Sequence, residues 1–153
     1  MASSASDRAR LVRLGALAMA FGVALGAFGA HGLRGRLTPD LLAIYETGVR
    51  YHLVHALGLL VAGWLAGEDQ TRSARLAGVL FVVGILLFSG SLYLLALTGV
   101  RTFGAITPLG GVAWIAGWAL IAARWRYSVA TGPPSSGPGR QRATHSDASD
   151  EPR

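Results

Sequence analysis

The chain of 153 residues has no cysteine and no lysine, and charged residues make up only 14% of it. Without cysteine there is no disulfide, no thiolate metal site and no sulfur nucleophile. A soluble domain carries about a quarter charged residues. Here the low charge accompanies 52% hydrophobic residues, more apolar surface than a water-soluble core of this size can hide. A membrane protein is therefore expected. All 14 strongly basic residues are arginine, and the net charge is +6. A basic chain can serve nucleic acid, but these arginines flank apolar runs instead of clustering on a polar segment. The expected partner is the lipid bilayer, with no nucleic acid. Also missing are a phosphate-cradling glycine loop, a nucleophile–base pair and a carboxylate pair, so neither an enzyme nor a cofactor is expected.

What is present is a series of apolar runs. Leu14 to Leu33 holds no Asp, Glu or Arg between Arg13 and Arg34, and twenty residues at 1.5 Å each make about 30 Å, one bilayer core. A cleavable signal peptide is the rival reading, with Ala27-Phe28-Gly29 as its small-x-small site, but the apolar run is too long for one. Thr38-Pro39-Asp40 supplies a hydroxyl cap, a first-turn proline and a first-turn acid for a second helix. That helix is amphipathic to Arg50, with Glu46 and Arg50 spaced as an intrahelical pair, and enters the membrane at Tyr51. Leu76 to Leu97 is the longest uncharged run, Gly99 suits a helix C-cap, and Thr107-Pro108 repeats the opening device of Thr38-Pro39. The expectation is an all-α fold, a four-span transmembrane helix bundle with spans at about 14–33, 51–67, 76–97 and 107–123. A polar start (1–10) precedes the membrane domain (11–126), and a Gly-, Pro- and Ser-rich tail (127–153) is expected to be disordered.

In lipid, helices associate through close packing and polar contacts. Ala18, Gly22, Gly26 and Ala30 form a small-residue stripe on the first span. Gly58 and Ala62 do the same on the second, and Gly117 belongs to a shorter pair on the fourth. Short connections make neighbouring helices antiparallel. A homo-oligomer or a membrane protein partner is left open by this pattern. Arginines near the first, third and last polar segments (Arg8, Arg10, Arg13; Arg72, Arg75; Arg124, Arg126) outnumber Arg34, Arg36, Arg50 and Arg101 on the opposite side, so both termini are expected in the cytoplasm.

Every span also places a polar residue toward the outer side. By the helical rise, His31 lies roughly 4–5 Å inside the boundary set by Arg34, and His55 roughly 7–8 Å inside that set by Arg50. Ser89, Ser91 and Tyr93 fall in the outer third of the third span, and Thr107 opens the fourth. Buried ionisable groups in membranes are costly and often functional. The cluster His31, His55, Ser89, Ser91, Tyr93 and Thr107 is thus read two ways. It is either a set of hydrogen bonds pinning helices, with His31 joining the first to the second, or an outward-opening polar pocket. His52 is read as a wet interfacial side chain. His31, His52 and His55 could offer three imidazoles, but no carboxylate or thiolate joins them, so no metal is expected. A bis-histidine haem between His31 and His55 is geometrically conceivable, since haem in bundles uses facing helices, but none is expected.

The segments Gly26-Ala27-Phe28-Gly29-Ala30-His31-Gly32, Glu46-Thr47-Gly48-Val49-Arg50-Tyr51 with His55-Ala56-Leu57, Phe88-Ser89-Gly90-Ser91-Leu92-Tyr93 and Thr107-Pro108-Leu109-Gly110-Gly111 occur together, in this order. In them the chain resembles the YgdD/YwdK-like family of small bacterial inner-membrane proteins (domain of unknown function 423), over roughly residues 14–123. The resemblance implies a four-span membrane protein and no particular reaction. It also sets His52 where the family more often has a glutamine-like residue. The expected role is a structural or accessory interaction protein of the bacterial cytoplasmic membrane. The alternative is a small-molecule, ion or proton-handling protein using His31 and His55.

Overall fold

Thr38 opens the helix on which the others are laid. Its hydroxyl accepts the Leu41 N–H at 3.4 Å, and Pro39 occupies the first turn, where no amide hydrogen is needed. In the computed structural model, which describes residues 2–66 and 71–130, all regular structure is helical. Helix α1 covers Ala2–Ala27 and continues as a widened π turn, Phe28–Leu33. Helix α2 covers Pro39–Leu65. Helix α3 (Thr71–Gly84), a second π turn (Ile85–Ser89) and α4 (Gly90–Thr98) form one rod. A 3₁₀ turn, Arg101–Ala105, leads to α5, Thr107–Ala130. The connection at 67–70 and the tail expected to be disordered, from 131 on, lie outside the described residues. Residues 127–130, assigned from the sequence to that tail, belong to α5.

Among the described residues, three helices are long and apolar enough to cross a membrane: 5–33, 72–98 and 101–123. Helix α2 is not among them, although its 27 residues make it about 40 Å long. Its sequence carries Glu46, Arg50, His52 and His55, which lower its mean hydropathy. Yet α2 has the buried face of the bundle, from Tyr45 through Leu59 to Gly63. It packs along α1 on one side and along α3 and α4 on the other, while α5 packs against α3.

Two apolar clusters hold this arrangement. In the first, Phe81 lies among Leu59, Ala62, Ala77 and Trp114. A Cβ at Gly117 would stand 2.9 Å from its ring and one at Gly58 3.1 Å, so two glycines on different helices admit one phenylalanine. In the second, Tyr45 packs with Leu33, Val49 and Ala96. The ends are as the sequence suggests at Thr38 and at Gly99, which caps α4 in the left-handed region at φ +73° with its N–H on the Leu95 carbonyl. The Glu46–Arg50 pair is not formed. The ion pair among the described residues joins Arg75 to Asp7, across α3 and α1, at 3.5 Å.

The small-residue stripe of α1 needs one correction. Gly22 is buried and Gly26 close-packed against Val49, but Ala30 is exposed and Gly29 takes its place against Tyr45. Steps of four residues overshoot a 3.6-residue turn by about 40° each. Three such steps from Ala18 carry Ala30 off the contact face, whereas the seven-residue steps Gly15, Gly22 and Gly29 stay on it.

Candidate functional site

Along α2, Tyr45, Val49, His52, Ala56 and Leu59 recur at three- and four-residue spacing and form the buried stripe. The polar residues of this stripe make the candidate site. Tyr45 is fully buried, and its hydroxyl donates to the Leu25 carbonyl of α1 at 3.1 Å. Its ring meets that of Tyr93 with centroids 5.0 Å apart.

His52, 3% exposed, lies within hydrogen-bond distance of both neighbours. Its Nε2 is 3.0 Å from the Ala18 carbonyl of α1, and its Nδ1 3.4 Å from the Tyr93 hydroxyl of α4. A carbonyl can only accept, so Nε2 carries the hydrogen, and in the neutral ring Nδ1 accepts from Tyr93. Gly22 makes the first of these bonds accessible. A Cβ there would come within 3.2 Å of the imidazole and 2.8 Å of Leu53, so the bare backbone lets α2 approach the carbonyl one turn back.

His55 is 5% exposed and is committed differently. Its Nδ1 donates to the Tyr51 carbonyl at 2.7 Å. Its ring lies flat on Trp114, with centroids 3.6 Å apart and planes 4° from parallel. Trp114 in turn donates its indole N–H to the Phe81 carbonyl at 3.3 Å and covers Gly84. On the neighbouring rod Ser91 is buried, bonded to the Phe88 carbonyl at 2.9 Å and to the Thr107 hydroxyl at 2.8 Å. Thr107 lies within α5, so its hydroxyl ties that helix to the α3–α4 rod, where a cap was expected. Ser89 is fully buried and its hydroxyl has no partner.

The structure therefore divides the expected cluster. Ser91 pairs with Thr107, Tyr93 pairs with His52, His55 is stacked on Trp114, and His31 is exposed on the first π turn with no hydrogen bond. The histidine that joins the first helix to the second is His52, expected to be wet, and not His31. His31 sits near a helix end, but the turn presents it outward; His52 falls on the stripe that buries Tyr45 and Leu59. That periodicity was the available signal for His52 and Tyr45, whereas nothing local marks Trp114 as the ring that stacks on His55. Among the described residues no three His, Cys, Asp or Glu side chains come together as a metal would require.

Long apolar helices packed with one helix, α2, which alone among the described residues carries buried histidines, define an integral membrane helix bundle. The chain belongs to the family described as "Protein of unknown function (DUF423)", which matches residues 25–111. It is similar to the UPF0382 membrane protein YwdK of Bacillus subtilis, 51% identical over 109 residues that make up 71% of this chain and 89% of that protein. It is also similar to UPF0382 membrane protein SH2409 of Staphylococcus haemolyticus, 46% identical over 108 residues, and to SERP0230 of Staphylococcus epidermidis, 50% identical over 108. Those two alignments each cover 71% of this chain and 88% of the relative. No solved structure matches the chain.

Proposed function

We propose that the chain is a four-span protein of the bacterial cytoplasmic membrane with both termini in the cytoplasm, and that its role is structural or accessory, not catalytic. The observation that carries this is the double engagement of His52 between Ala18 and Tyr93. A buried ionisable side chain whose two polar atoms are both used inside the bundle is suited to holding helices together, with neither atom left for a substrate. The same arrangement supports α2 as the fourth span. Its membrane-level histidines, His52 and His55, face inward, while the exposed Glu46 and Arg50 lie on its first half before Tyr51. Polar side chains are tolerated at membrane depth when they face the bundle interior. An even number of spans returns the C-terminus to the side of the N-terminus, in keeping with the arginine bias.

Reporter fusions test this directly. Fusions at both termini and at Asp69 are expected to report cytoplasm, and insertions at Gly35 and Gly99 the outside. A C-terminus outside with the N-terminus inside would reduce the spans to three and remove α2 from the membrane. For the accessory role, crosslinking in native membranes is expected to yield a discrete adduct with a second copy or another membrane protein. A chain recovered only as monomer would overturn that part.

A second reading, handling of a proton, ion or small molecule, is favoured by the unpartnered hydroxyl of Ser89 and the remaining lone pair of His55. Replacement of His55 by Gln would abolish a pH-dependent flux in reconstituted vesicles under this reading, while leaving the folded bundle in place.

A further inference from the structure

Helix α1 lies along α2 but only brushes α3. The two meet where Leu11 seats over Gly78, and a crevice runs from there between them. One part of it, about 300 Å³, is lined by Arg10 and Leu11 of α1 and by Arg75 and Val79 of α3. A second part, about 340 Å³, is lined by Leu17 and Phe21 on one wall and by Ile85 and Leu86 on the other, with His52 and Tyr93 at its far end. Leu14 and Val82 line both parts, so the two adjoin along the same pair of helices. The crevice is thus charged at one end and apolar along its length, and it opens sideways past the exposed side chains of Leu14, Leu17 and Leu86.

We propose that this crevice binds an anionic phospholipid, with the phosphate held by Arg10 and Arg75 and one acyl chain lying between α1 and α3. The proposal rests on the membrane reading above. Three features select this occupant. From Arg10 to Phe21 is eleven residues, about 16 Å of helix, close to the hydrocarbon thickness of one leaflet at about half of 30 Å. The polar atoms of His52 and Tyr93 are bonded to Ala18 and to each other, so the inner end suits hydrocarbon and not a second polar head. At the mouth, Asp7 is 7% exposed and turned inward onto Arg75, whose side chain is 58% exposed. A guanidinium has five N–H donors; the contact with Asp7 engages one nitrogen of Arg75, and Arg10 lines the same end of the crevice. A free anion would use the arginines and leave the apolar slot unfilled, whereas a phospholipid fills both.

The test uses the full chain in nanodiscs of phosphatidylcholine with graded phosphatidylglycerol. Native mass spectrometry counts retained lipids, and the thermal midpoint is read in parallel. Wild type is expected to retain phosphatidylglycerol over phosphatidylcholine by about fivefold, the preference of one basic residue near the lipid surface, because Asp7 offsets one of the two arginine charges at the mouth. The preference should fall to near unity in the double variant R10Q/R75Q. The double variant R8Q/R13Q changes the net charge equally outside the crevice lining and should keep the preference. Leu14→Trp fills the slot without altering charge and should lower retention on its own, which decides the matter if R10Q/R75Q does not fold. Equal loss in R8Q/R13Q would reduce the effect to surface charge and overturn the site. Phosphatidylglycerol is expected to raise the midpoint of wild type and not that of R10Q/R75Q; inorganic phosphate in detergent giving the same rise would also overturn the proposal, by showing an anion site without a lipid. Insertion with no lipid preference sinks the site alone. A chain that fails to enter vesicles of either composition sinks the membrane reading beneath it.

Discussion

His52 donates its Nε2–H to the carbonyl of Ala18 across 3.0 Å, joining two helices through residues 34 positions apart in the chain. His52→Phe is expected to keep a planar ring on the buried face and lose this bond and that to Tyr93. The cost should be about 0.6 kcal/mol for each bond lost, the average for interhelical hydrogen bonds in membranes, and no more than about 1.7 kcal/mol for either, read from reversible unfolding in mixed micelles. His31→Gln should leave the same midpoint unchanged, because His31 is exposed and unbonded. Equal effects at the two positions would refute the assignment of His52 as the pin.

Gly22 sets the distance over which that bond can form. Gly22→Val places carbon where Leu53 and the imidazole already lie. Overpacking of this kind costs about 1–3 kcal/mol, and the bond to Ala18 would be lost with it. Ala30→Val, on the exposed side of the same helix, is expected to be neutral. Paired thermal melts in one detergent separate the two.

Phe81 and Gly117 should behave as a coupled pair. Gly117→Ala brings a methyl group to 2.9 Å from the Phe81 ring, among surrounding side chains that leave it little room to move. Phe81→Leu alone leaves a void. Combined, the smaller ring site accepts the added methyl, so the double variant is expected to be more stable than the sum of the single effects predicts, with a coupling of about 0.5–3 kcal/mol. A double-mutant cycle that closes additively would show that the two residues do not share space.

Trp114 carries both a stacked histidine and a hydrogen bond. Trp114→Phe keeps most of the stacking surface and gives up the indole N–H to the Phe81 carbonyl, at a cost of about 1 kcal/mol. Trp114→Ala also opens a cavity at the junction of α2, α3 and α5, and is expected to cost about 3–5 kcal/mol. Similar losses in the two variants would mean that the hydrogen bond, not the ring, holds this junction.

The Ser91–Thr107 bond is the tie between the α3–α4 rod and the start of α5. Thr107→Val preserves shape and removes the hydroxyl, while Ser91 still reaches the Phe88 carbonyl. The loss should therefore be small, about 0.5–1.5 kcal/mol, and local. Faster amide exchange at the first turn of α5, with the rest of the helix unchanged, is the measurement that checks it.

What the chain determined by itself is whatever depends on near neighbours in sequence. Run length and charge marked the apolar helices, because burial in lipid is a sum over consecutive residues. Thr38-Pro39 and Gly99 marked ends, because capping is completed within a turn. The spacing of Tyr45, His52 and Leu59 held the buried stripe of α2, although near-interfacial depth argued the other way for His52. Tertiary structure alone decided which partner each polar group found. Asp7 meets Arg75, Tyr45 meets Leu25 and His55 meets the ring of Trp114 through contacts between elements far apart in the chain. No local spacing encodes them, since they depend on how far each helix has rotated where it crosses its neighbour. The same holds for His31. It ends the most recognisable stretch of the chain, yet a single widened turn sends it outward and leaves the pinning of α1 to a histidine on the next helix.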